Sequence, residues 1–64
     1  MARINQDCRG FYRINGLDNL FIKIGTNIEI IHTTTLENVT WVFIAINSIR
    51  VWVDDKFIDQ PSIK

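Results

Sequence analysis

Three residue types in this 64-residue sequence could carry reaction chemistry, and their spacing decides what each can do. His32 is the only histidine and lies in the run Ile30-Ile31-His32-Thr33-Thr34-Thr35, with no titratable neighbour beside it. General acid–base catalysis needs a positioned pair of such groups, so His32 reads as a structural strand residue. Cys8 is the only cysteine, which excludes an internal disulfide. One cysteine and one distant histidine fall short of the four ligands of a structural zinc site. Asp54 and Asp55 are adjacent, and neighbouring side chains on a strand point to opposite faces, so they cannot share a proton as a dyad. No nucleophile elbow, phosphate loop or metal signature occurs. Neither an enzyme nor a cofactor is expected.

Recognition chemistry is better represented. Arg50 and Trp52 alternate with Ile49, Val51 and Val53, so a strand here places the arginine and the indole on one face. Such a pair can stack bases or anchor a protein, because both residue types are enriched at binding hot spots. Phe11, Tyr12 and Arg13 form a second aromatic–basic cluster. Arg3 and Arg9 add further positive charge, and residues 1–13 carry three arginines against Asp7, a net of +2. The whole chain balances seven basic against seven acidic residues. A non-specific polyanion binder would show a basic excess.

These side chains must be positioned by strands. Residues 10–14 read as a strand ending at Asn15-Gly16, a strong hairpin signal because both residues tolerate positive φ. Residues 20–24 alternate, with Leu20, Ile22 and Ile24 on one face, and Gly25 marks a bend. Residues 27–35 form the longest segment, with Ile28, Ile30, His32 and Thr34 expected on one face. Leu36-Glu37-Asn38 is a turn. Residues 39–46 are apolar on both faces, the mark of a central strand covered on both sides. Asn47-Ser48 turns the chain into residues 49–53. A helical turn is expected in 55–59, stopped by Pro61 and followed by a loose tail. The fold class is therefore all-β: five short antiparallel strands in a sheet or small barrel. Residues 1–9 read as a flexible basic N-terminal arm and 10–64 as a single β domain.

A chain of this length buries only about 60% of its unfolded surface, so a small domain commonly needs disulfides, metal or oligomerisation. With the first two excluded by residue count and 47% of the residues hydrophobic, the chain is expected to be a dimer or a subunit of a larger assembly. The longest apolar run, residues 41–46, is far too short to span a bilayer. Residues 1–10 have no apolar export segment, and with a single cysteine the expected location is the cytoplasm.

Tyr12-Arg13-Ile14, followed by Ile22-Lys23-Ile24-Gly25-Thr26-Asn27-Ile28-Glu29-Ile30, resembles the opening of the carbon storage regulator (Csr/Rsm) family. That opening is a short basic strand, a loop and an I-x-I-G-x-x-I-x-I pair. Val51-Trp52-Val53-Asp54-Asp55-Lys56-Phe57-Ile58 falls where the family's V-x-V-H-R-x-E-I ending would lie. The resemblance implies a strand-exchanged, intertwined homodimer in which the first strand of one protomer lies beside the last strand of the other. It also implies binding to single-stranded GGA loops of messenger RNA and regulation of translation. On that reading Tyr12, Arg13, Arg50, Trp52, Arg9 and Arg3 contact RNA. Asp55 stands at the place of the family's RNA-binding arginine, where a carboxylate repels phosphate. Together with the zero net charge, Asp55 favours the alternative: a protein-interaction module, such as a viral or mobile-element modulator of a host protein, with no RNA binding of its own.

Overall fold

Alternating apolar residues and paired turn residues lay the chain out as a succession of strands. The computed structural model describes residues 2–59. They form seven strands: β1 (Ala2–Ile4), β2 (Cys8–Phe11), β3 (Asn19–Ile22), β4 (Asn27–Leu36), β5 (Val39–Ile46), β6 (Ile49–Asp54) and β7 (Ile58–Asp59). A 3₁₀ turn spans Asp55–Phe57. All pairings are antiparallel, in the order β3-β2-β6-β5-β4-β1-β7. The described residues contain no helix long and apolar enough to cross a membrane.

Connectivity forces the sheet to curl. β1 and β2 are consecutive in the chain yet four places apart in the sheet. Four spacings in a flat sheet cover about 19 Å. The four residue steps from Ile4 to Cys8 reach at most about 14 Å. β3 and β4 are also four places apart, joined by the short link of residues 23–26. The sheet bends into a half-barrel, and backbone bonds extend the β1–β4 and β1–β7 ladders and tie the β3–β4 link to β1. Gly25 N–H donates to Ile4 O at 2.8 Å, Ile4 N–H to Thr26 O at 3.0 Å, and Asn5 N–H to Phe57 O at 2.9 Å. Gly25 has φ +87°, a conformation glycine adopts without penalty.

The concave face is the core. Ala2, Ile4, Cys8, Ile22, Ile28, Val42, Ile44, Val51, Val53 and Ile58 are buried together. Val42, Ile44, Val51 and Val53 reach zero exposure within one chain. The inner core thus closes without a second chain, and the expectation of a dimer or subunit loses the support drawn from core size.

Several sequence expectations change. Seven strands replace five, the additional ones being β1 and β7. Residues 2–4 and 8–9, assigned to a loose arm, enter the sheet, because Ala2, Ile4 and Cys8 are apolar enough to fill the core. The strand expected at 10–14 lies at Cys8–Phe11, and residues 12–18 form a loop longer than a two-residue turn. Gly16 N–H donates to Arg13 O within that loop, and Asn15 sits at φ +67°. The expected helical turn appears as the 3₁₀ turn, capped by the Asp54 carboxylate, which accepts from Lys56 N–H. The loose tail expected after Pro61 lies outside the described residues.

The largest change is in β4. Ile30 pairs with Ile44 and His32 with Phe43, so Ile31 is an extra residue and the strand is bulged. A bulge shifts the alternation by one. Ile28 and Ile30 therefore face the core while His32 and Thr34 turn to the outside, contrary to a single face.

Candidate functional site

The convex face gathers most of the recognition residues. Phe11, Trp52, Phe43 and His32 occupy one register line across β2, β6, β5 and β4. Residues opposite one another in a sheet share a face, so these four rings form a row. Phe43 and Trp52 lie 4.7 Å apart at 34°. His32 meets Trp52 edge-on at 6.4 Å, and Phe11 meets Trp41 edge-on at 6.4 Å. Each such pair contributes on the order of 1 kcal/mol beyond area burial. Trp41, Phe43, Trp52 and Phe11 are half-buried. The cover over β5's second face is therefore other aromatic side chains of the same sheet. Trp52 is half-covered for the same reason.

Charges border this row. Arg9 opposes Phe21 in the β2–β3 register, and its guanidinium lies 5.9 Å from the ring centroid. Its Nη1 donates to Asn19 Oδ1 at 2.9 Å, which fixes the head group. Arg50 is exposed, two residues from Trp52 on the same face of β6. Asp54 shares that face, but its carboxylate is engaged by Lys56, through the backbone N–H at 3.1 Å and Nζ at 4.0 Å.

Tyr12 and Arg13 leave the strand at Phe11 and line an open depression of about 430 Å³ with Gly16, Leu17 and Asp18. Tyr12 is 46% exposed and Leu17 91% exposed. Arg3 does not join the others. It lies on β1, four places from β2, opposite Asn27 and Asp59. Of the six residues proposed from sequence, Arg9, Arg50 and Trp52 share one face, with Tyr12 and Arg13 at its rim.

Sequence reasoning missed Phe43 and His32 as members of the row. The alternation of β5 does place Phe43 with Trp41, but only the bulge at Ile31 brings His32 to that face. Phe21 lies on the face opposite Ile22, with Arg9 as its cross-strand partner.

The described residues hold no group of three potential metal-ligating side chains. Cys8 is buried in the core and not carried on an arm. Burial, and secondarily the Asp7 carboxylate, push its thiol above the ordinary value of 9.0. That is the reverse of an activated nucleophile. Compared with known families, curated proteins and solved structures, the chain matches none.

Proposed function

We propose that the convex face binds single-stranded RNA and that the protein acts as a translational regulator by occupying unpaired messenger loops. The observation that carries this reading is the row Phe11–Trp52–Phe43–His32, set in register across four strands with Arg9 and Arg50 at its border. Bases stack on aromatic faces with little regard to sequence, and arginines hold the backbone alongside. A sheet presenting aromatic residues on an open face is a recurrent solution for single strands.

Fluorescence anisotropy with a labelled single-stranded RNA carrying a GGA loop tests the proposal. Three phosphate contacts, from Arg9, Arg13 and Arg50, give a salt slope of about −2 for a single strand. Affinity should then fall roughly 20-fold when salt rises about fourfold. Trp52→Leu keeps an apolar side chain but removes the π-face, and should weaken binding about 5- to 150-fold. No binding at low salt, or an unchanged affinity in folded Trp52→Leu, overturns the proposal.

A protein partner is the second reading, favoured by the balanced charge of the chain and by Leu17, 91% exposed beside Tyr12. Docking on such a surface would depend little on salt.

A further inference from the structure

We infer that the free edge of β4, residues 32–36, is a self-association seam that pairs antiparallel with the same edge of a second copy. β5 pairs with β4 from Glu29 to Leu36. β1 covers the other side of β4 only at Asn27 and Ile28. Among the described residues, no strand pairs with that side of residues 30–36. Backbone groups of an antiparallel strand alternate in direction, so about half of those in 32–36 point away from β5.

The open edges of this sheet differ in how they are guarded. Short length, charge and bulges are the usual guards against pairing with another chain. β3 is four residues long and followed by Lys23, and the Ile24 N–H beyond it is held by the Asp7 carboxylate at 2.8 Å. β7 has two residues, one of them Asp59. The β4 edge, by contrast, reads Ile-Ile-His-Thr-Thr-Thr-Leu over residues 30–36, with no acidic residue, lysine, arginine or proline. Its one guard is the bulge at Ile31, which bends only the start of the segment. From His32 to Leu36 every residue is in regular register with β5.

A second copy fits this edge because the segment matches itself. A two-fold axis at Thr34 sets Thr34 opposite the partner's Thr34, Thr33 opposite the partner's Thr35, and His32 opposite the partner's Leu36. No like acid or base pairs meet, and β-branched and threonine pairs favour strand pairing. The same pairing covers Leu36, 42% exposed in the single chain. It differs from the exchange of first and last strands, because β1 and β7 pair with each other within one chain. It does not rest on the RNA reading, although it would join the two aromatic rows at their His32 ends.

A five-residue seam buries less than the roughly 1,200 Å² of a standard stable interface. Interfaces below that size are typically weak and transient, so a dissociation constant above roughly 1 µM is expected. Sedimentation of the wild-type chain from roughly 10 µM to 1 mM brackets that affinity and should show a monomer–dimer equilibrium. Thr34→Lys and Thr34→Glu should each weaken self-association by up to about fivefold, since like charges then oppose across the axis. An equimolar mixture of the two should recover a dimer. A wild-type chain that stays monomeric across the whole range overturns the inference without recourse to any variant. So does a wild-type dimer accompanied by folded single variants that associate as tightly as wild type, or by a mixture that gives no recovery.

Discussion

Gly10 is buried on β2, the strand beside β6 in the sheet. A methyl group added there would stand 2.5 Å from Val51 Cγ2, and 3.0 Å from both Val51 Cβ and Ile22 Cδ1. Ordinary carbon contacts lie at about 3.5–4.0 Å, so roughly 1 Å of movement is required. Val51 has zero exposure and Ile22 2%, so neither can swing out into solvent. Val51 is also β-branched, with few rotamers to choose from. Gly10 has no positive φ, so the backbone imposes no penalty of its own. Replacing glycine in a strand regains about 0.5–1 kcal/mol of chain entropy. Against this stands the 1–3 kcal/mol typical of overpacking, with the upper end expected for a contact this short.

The net expectation for Gly10→Ala is a loss of about 2 kcal/mol. For a chain of this size that lowers Tm by about 8–16 °C. Total stability should be only about 3–10 kcal/mol, so urea denaturation will register the change clearly. Val51→Ala removes the obstructing methyls, and alone should cost about 2 kcal/mol by transfer and cavity terms. In the double variant the two changes should offset one another by at least about 1 kcal/mol, since each relieves the defect of the other. A neutral Gly10→Ala, or a strictly additive double variant, would refute the packing argument.

Other expectations rest on different features. Asn38 occupies a two-residue turn with Glu37, at φ +66° and +52°, the positive-φ pair of a type I′ hairpin. Asn38→Val should cost about 1–2 kcal/mol in thermal unfolding, whereas Asn38→Gly should cost nothing. Cys8 should react with a thiol reagent far more slowly in the native protein than in urea, because it is buried and held protonated. Its folded value is raised, so its contribution to stability is complete below the ordinary thiol value of 9.0 and is lost as pH rises through the folded value. Cys8→Ala should remove that alkaline slope in a pH series of melts. Ile44→Ala, at zero exposure in the middle of the core, should cost about 2–5 kcal/mol and leave little folded protein at 37 °C.

Much of the sheet was legible because its punctuation is chemical. Glu37-Asn38, Asn47-Ser48 and Gly25 all fall between strands, and Glu37, Asn38, Asn47 and Gly25 adopt positive φ. The inward set Val51 and Val53 follows from strict alternation. β1 and β7 were not legible: three and two residues are too few to display a period, and their burial depends on partners more than 20 residues away in the chain. The bulge at Ile31 was hidden for another reason. Ile28, Ile30, His32 and Thr34 alternate without interruption, and threonine is equally at home on either face. Only pairing with β5 decides that His32 faces outward, so that ring's place in the row could not be read from its neighbours in the chain.

The tight spot at Gly10 and the aromatic outer face are two views of one constraint. The buried core contains alanine, cysteine, valine and isoleucine, and none of the seven aromatic residues of the chain is among its members. Aromatic rings bury more area than any aliphatic side chain, so a core with room would use them first. A 58-residue segment curled as tightly as its β1–β2 link demands has no such room. Its concave side is filled by branched aliphatics so closely that β2 must present a glycine to Val51. Phe57 packs against the core from the 3₁₀ turn, while Phe11, Phe21, Trp41, Phe43 and Trp52 lie on the convex side, where they cover one another only in part. Phe21 at 53% and Tyr12 at 46% exposure, with the half-covered Trp41, Phe43 and Trp52, leave an apolar surface of the kind that marks an interaction site. A larger fold could have hidden these rings under a second layer. In this one, the geometry that completes the core is also what exposes the aromatic face.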